Sequence, residues 1–331
     1  MNKLLHTPLT VHNVKLANRL VMPPMATGKT PDGTVQDDLL AYYDARSKGG
    51  CIGLIVTEHA YISPEGKAHE GQLSVSRDTD IPGLTKLVET IQNNTPVIAQ
   101  INHAGSAAME EITGYPAISA SVTAQPEYAR KSEKPVREMT ADDMHTVAKK
   151  FAEAALRVKE AGFDGVEIHA AHGYLLDQFY SPLGNKRTDA YGGDLDGRIH
   201  LLLDVIRAVR EAVGADYLVA LRLGASDYTE GGATIDDAVY ACKKFEKAGV
   251  DLLDISGGFN GFTVKNRKDP GFFSDASSAI REAVHVPVIL TGGVTKANEA
   301  EALLEEGAAD LIGVGRAIFK DADWAKKEME E

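Results

Sequence analysis

The strongest constraint in the sequence is a junction that recurs four times. A charged helix end meets glycine and passes into an apolar run, as SKGGCIGLIV from Ser47, KEAGFDGVEI from Lys159, EKAGVDLLDI from Glu246 and EEGAADLIGV from Glu305. Glycine just past a helix takes the left-handed conformation that closes the last turn. A short run that is apolar on both faces suits a parallel strand covered on both sides. The helices feeding these junctions are also legible. Thr234 can cap a stripe of Ile235, Ala238, Val239, Cys242 and Phe245, with Asp236 and Asp237 at its positive end and Lys243, Lys244 and Lys247 towards its negative end. Thr140 to Asp143 makes a capping-box start for a helix that runs to about Ala161.

On this basis strands are expected over 19–22, 52–57, 97–101, 165–169, 217–222, 251–255, 286–290 and 311–314. Eight strands alternating with helices favour an α/β fold of the (β/α)8 TIM barrel kind over a doubly wound open sheet. The opening LTVHNVKLANRL alternates around His12 and Asn13 and reads as an N-terminal β-hairpin closing the barrel bottom. Two excursions, about 103–138 and 172–197, follow the third and fourth strands, where a barrel grows its active-site loops. No linker or second core interrupts the 331 residues, so 1–331 is read as a single domain.

Charge narrows the partners. Lys plus Arg number 35 against 48 Asp plus Glu, a net −13, so the surface repels phosphate backbones and anionic lipid, and neither nucleic acid nor membrane is expected. No apolar run reaches the roughly 18 residues of a membrane span, and the first twenty residues lack a signal peptide's apolar segment, so a cytoplasmic protein is expected. Cys51 and Cys242 lie in apolar patterns and read as buried structural thiols, with no disulfide framework.

If the barrel closes, polar residues at strand ends converge on one mouth. They are Pro24, Met25, Glu58, His59, Gln100, His103, His169, His172, Arg222, Ser256, Thr291, Gly292, Gly315 and Arg316. The LTGGVT and GVGRAIF turns after strands seven and eight stand where barrels bind phosphate on backbone N–H groups and a short helix N-terminus. Gly293, Gly315 and the Arg316 side chain are the candidates. The competing reading keeps these glycines for tight turns alone. HAAHGY, from His169 to Tyr174, brings two imidazoles and a phenol to the same mouth. They could be satisfied structural groups, or part of a zinc site, which would need a third ligand that Glu167 is not placed to give beside His172. The preferred reading assigns no metal: two imidazole donors bind an oxygen that gains negative charge while Tyr174 moves a proton.

These residues resemble the Old Yellow Enzyme family of FMN-dependent NAD(P)H oxidoreductases. The resemblance rests on HAAHGYLLDQFYSPLGNKRTDAYGG (His169 to Gly193) with Arg198, and extends through NRLVMPPM, AQINHAG, LRLGASDY, DISGG and the two glycine turns. It implies an FMN across the barrel mouth, its phosphate on Gly293, Gly315 and Arg316. Pro24, Met25 and Ala26 would line the ring, and Gln100 and Arg222 would bond its polar edge. His169 and His172 would bind the acceptor's oxygen and Tyr174 would be the proton donor. The implied reaction is ping-pong: NADH or NADPH reduces FMN, and an electron-poor alkene such as an enone takes hydride at its β-carbon and a proton at its α-carbon. Small-molecule acceptor, nicotinamide nucleotide and a homo-oligomer are the partners expected. Ala26 stands where relatives carry Thr or Cys, and Gly28 where one subgroup carries a substrate-contacting Tyr. Relatives with an iron–sulfur cluster place cysteines after the barrel; two cysteines and an end at Glu331 lead to the expectation that this chain is not one of them. The alternative from another class is a flavin-free barrel isomerase or aldolase holding a phosphorylated substrate at the same glycine turns, and a third is a barrel kept as a binding scaffold.

Overall fold

In the computed structural model, which describes residues 4–92, 95–122 and 134–330, eight parallel strands close on themselves in sequence order. They are β1 (Leu20–Met22), β2 (Leu54–Tyr61), β3 (Val97–Asn102) and β4 (Gly165–Ala170), then β5 (Leu218–Ser226), β6 (Leu252–Gly257), β7 (Val288–Thr291) and β8 (Leu311–Gly313). Each follows an expected position. Two, β2 and β5, run four residues further than expected, and β2 does so because its pairing with β3 shifts register between Thr57 and Ala60. A bulge of this kind carries the strand on and re-aims its side chains. The 123–133 part of the first expected excursion lies outside the described residues.

The recurring junctions act as caps. Gly49, Gly162, Gly249 and Gly307 have φ of 94, 94, 110 and 75°, the left-handed region that a side chain disfavours. At the other helix ends, Thr140 and Asp143 bond reciprocally to start Ala141–Glu160, and Thr234 and Asp237 do the same for Ile235–Ala248. Such caps each contribute about 1 kcal/mol.

Two apolar layers hold the barrel. Outside, Val166, Ile168 and Ala170 of β4 belong to the same core as Phe151 and Val205 of the surrounding helices. Inside, strands Leu9–Val11 and Val14–Leu16 pair antiparallel, and their Val11, Val14 and Leu16 pack with Val21, Leu54, Ile98, Leu218, Leu252, Ile289 and Leu311. Each such side chain stabilises by roughly 1.5–3 kcal/mol when buried. The hairpin therefore plugs the bottom, and everything polar inside the barrel lies above it. Cys242 is buried but Cys51 is only half-buried, because it stands in the turn before β2 begins at Leu54. No helix among the described residues is long and apolar enough to cross a membrane.

Candidate active site

Alternation along β4 turns Glu167 and His169 inward while Val166 and Ile168 face the helices. Register then sets Gln100 beside Glu167, Arg222 beside His169 and Asp254 beside Arg222. These form a polar floor above the apolar plug. Gln100 Nε2 donates to Glu167 Oε1 at 2.8 Å. Arg222 Nε lies 3.3 Å from Asp254 Oδ2 without a hydrogen bond, and its Nη2 reaches Ser256 Oγ at 3.5 Å. A buried guanidinium thus keeps donor capacity to spare.

Above this floor opens a cavity of about 310 Å³. Pro24, Met25, Ala26, Gln100, His169, His172, Tyr174, Arg222, Gly293, Gly315 and Arg316 all line it. So do His59, Ser256, Thr291 and Gly292 from the wider set of strand-end residues. Two members of that set lie elsewhere: Glu58 accepts from Thr27 Oγ1 at 2.6 Å, and His103 accepts the Gly105 N–H at 3.0 Å, both in loop-holding roles. Phe262 and Phe272 complete the wall. One side of the cavity is nearly bare of side chains. A Cβ at Gly315 would come 2.9 Å from Met25 Sδ, and one at Gly293, whose φ is 76°, would come 2.7 Å from the Phe272 ring. Arg316, exposed at the start of helix Arg316–Lys320, makes no ion pair among the described residues.

The opposite side is built on a strained turn. His172 has a φ of 59° and Gly173 one of 67°, and left-handed backbone at a side-chain-bearing residue costs on the order of 1 kcal/mol or more. Buried groups hold it there. The Gly173 N–H donates to Asp177 Oδ2 at 2.7 Å, and Gln178 Nε2 donates to Gly173 O at 2.6 Å and to Ala104 O at 3.0 Å. Tyr174 then stands at the N-terminal boundary of helix Leu175–Tyr180, its side chain making no capping bond. The signature-like string after His172 is therefore a clamp on the turn that aims His172 and Tyr174.

The His169 ring centroid is 5.1 Å from those of both His172 and Tyr174. His59 joins them, 5.3 Å from Tyr174 and 6.0 Å from His169. Gln72 and Asn102 amide groups reach His59 Nδ1 at 3.2 and 3.1 Å, which leaves the proton of a neutral ring on Nε2. His172 Nε2 is 2.8 Å from Ser256 Oγ. Ser256 Oγ also accepts from Arg222 Nη2 at 3.5 Å, so one hydroxyl joins the guanidinium to the imidazole. Burial drives His169 and His172 well below the usual imidazole range and His59 to about 3. Burial also pushes the Tyr174 phenol up to about 12. Neutral imidazoles with one N–H each and a phenol that keeps its proton can bind an oxygen that gains negative charge and deliver a proton beside it. Among the described residues no three His, Cys, Asp or Glu side chains come together as a metal site.

A family model described as NADH:flavin oxidoreductase / NADH oxidase matches residues 4–331. A metal reductase of Desulforamulus reducens is 39% identical over 98% of this chain and 48% of its own length. An NADPH dehydrogenase of Geobacillus thermodenitrificans is 37% identical over 99% of this chain and 95% of its own. A solved old yellow enzyme homologue from Zymomonas mobilis is 26% identical, with a TM-score of 0.86 over 98% of this chain and 92% of that one. The chain spans about half the length of the first curated relatives it matches, 48% and 50%. Length therefore does not separate this barrel from those of longer proteins.

Proposed function

Because the chain belongs to the NADH:flavin oxidoreductase / NADH oxidase family and has the Old Yellow Enzyme barrel, we propose that it is an FMN-dependent NAD(P)H oxidoreductase that reduces electron-poor alkenes such as enones by a ping-pong reaction. The cavity fits the cofactor on its own terms. Its bare glycine wall leaves backbone at Gly293 and Gly315 open to close approach, with Arg316, which makes no ion pair among the described residues, beside it for phosphate. Its floor offers Gln100 and the under-used Arg222 to a polar ring edge, and Pro24, Met25 and Ala26 give an apolar seat. When bound, FMN accepts hydride from a reduced nicotinamide and passes hydride on to an acceptor.

The protein's own contribution is to bind, polarise and protonate. His169 and His172 hold the acceptor's carbonyl oxygen, and because both rings are neutral they stabilise charge on it without quenching it beforehand. Tyr174 places its proton at the acceptor's α-carbon. His59, its Nε2–H fixed by Gln72 and Asn102, adds polarity next to Tyr174. Donor and acceptor share one cavity with one donor wall, which supports alternating rather than simultaneous occupancy.

The observation that carries this reading is the convergence of neutral imidazoles and a protonated phenol opposite a glycine-walled, Arg222-floored cavity. It also weighs against a Schiff-base aldolase, since none of the described residues lining that cavity is a lysine. The test is to load the protein with FMN, bleach its flavin absorbance anaerobically with NADH or NADPH, and add cyclohexenone. Restored absorbance with stoichiometric loss of the alkene is expected. Failure to retain FMN, or no bleaching by either nicotinamide, would overturn the reading.

A further inference from the structure

The polar floor holds two buried acids and one cation. Asp254 has the cation: its Oδ2 is 3.3 Å from Arg222 Nε, and its Oδ1 accepts from Thr291 Oγ1 at 3.1 Å. Glu167 has only an amide. Its Oε1 accepts from Gln100 Nε2 at 2.8 Å, and its Oε2, also buried, has no hydrogen-bond partner among the described residues. The side chain is 0% exposed. Burying an ionised carboxylate with one neutral donor is costly, and a second acid nearby adds to that cost.

Gln100 is a two-faced group. With its NH2 committed to Glu167, its carbonyl oxygen is left for the cavity that it lines. A protonated Glu167 can do what the ionised form cannot, which is to donate to that carbonyl and leave the NH2 for the cavity instead. The amide then offers an acceptor in one state and a donor in the other. We propose that Glu167 is a positioning residue that, through the Gln100 amide, selects whether an acceptor or a donor is presented to the polar edge of a flavin in this cavity. The proposal rests on the flavin reading given above.

The charges that bear on Glu167 are few. Desolvation raises its carboxyl to about 8 and Asp254 on β6 adds to the rise, while Arg222 on β5 and the Gln100 bond oppose it. His169 follows on its own strand and His59 comes from β2, both made neutral by burial. The spans of β1, β7 and β8 carry no titratable side chain, and β3 offers the amides of Gln100 and Asn102. Desolvation and Asp254 together therefore favour the protonated carboxyl.

The experiment follows flavin absorbance and FMN affinity of the oxidised holoprotein from pH 6 to 10, without turnover. In the wild type, a single-proton spectral change is expected near neutral to mildly alkaline pH. FMN is held several-fold more tightly on the alkaline side, where the Gln100 carbonyl meets a ring N–H. Glu167→Gln should abolish both effects, and so should Gln100→Leu, which leaves Glu167 in place. The double variant should behave as Gln100→Leu alone, since coupled residues do not add. Thermal unfolding of the apo forms checks that each is folded. Should Glu167→Gln not fold, the wild type against Gln100→Leu decides. A pH-dependent change that survives in Gln100→Leu, a flat wild-type profile, or additive effects in the double variant would overturn the proposal. Loss of FMN binding by the wild type itself would instead overturn the flavin reading.

Discussion

Replacing Tyr174 by Phe removes one hydroxyl and little else. The ring lies at ordinary contact distance from His59 and His169, and no hydrogen bond among the described residues engages its hydroxyl, so the variant leaves none of them orphaned. A lost bond of that kind would cost about 1–3 kcal/mol, and its absence means the melting temperature should hold. The chemistry should not. A positioned acid contributes roughly 10²–10⁴-fold, and efficiency follows acid strength. Burial has already weakened this phenol to about 12, which places the expected loss in the lower half of that range, roughly 10²–10³-fold. The assay is stopped-flow on the FMN-loaded protein, with the two half-reactions measured apart. Flavin bleaching by nicotinamide requires no protein acid and should stay within about twofold of wild type. Reoxidation by cyclohexenone should slow by the full factor, while reoxidation by a nitroalkene, whose anion is stable without immediate protonation, should slow far less. Equal falls in both half-reactions would make Tyr174 a structural residue. No fall in either would give the proton to another group or to water.

Three further outcomes follow from buried geometry. Burial together with nearby Asp227 pushes the Asp177 carboxyl well above the usual carboxylate range, so Asp177→Asn, which keeps an acceptor for the Gly173 N–H, should cost under about 1 kcal/mol, whereas Asp177→Leu orphans that N–H and should cost about 1–3 kcal/mol in denaturant unfolding. Gly315→Ala, at a φ of −90°, should fold yet bind FMN weakly, because its methyl group meets Met25 inside the cavity, while Gly293→Ala should lower stability as well, its φ being 76°; fluorescence titration and melting separate the two. His59 and His103 are driven from 6.5 to about 3 and about 4, so unfolding takes up protons below pH 6.5, and stability that is fully present above 6.5 falls as pH drops towards 4, at about 1.4 kcal/mol per pH unit for each proton taken up; His103→Gln should flatten that slope in pH-dependent unfolding.

The barrel was readable because its signals are local. A cap threonine, a charged helix end, a left-handed glycine and an apolar run each lie within a few residues of one another, and the count of such units sets the topology. The mouth residues followed from the topology, since strand ends in a closed parallel barrel must converge. What escaped was whatever depends on a change of register or on a long loop. His59 stood in the strand-end set but was not assigned to the site. The bulge between Thr57 and Ala60 turns it inward, and no residue type in TEHAY announces a bulge. Phe262 and Phe272 come from the stretch between β6 and helix Ser274–Arg281, whose path depends on contacts far away in sequence, such as Asp227 Oδ1 accepting the Phe259 N–H at 2.6 Å. Alternation from His169 puts Glu167 inside the barrel, yet its role depends on which neighbour is denied a charge. That is decided by the β5 and β6 registers, which give Arg222 to Asp254 and leave Glu167 with an amide. A sequence can show that polar residues share a floor; only the pairing between strands shows which of the two acids goes without a cation, and that acid is the one whose proton can alter what the cavity offers.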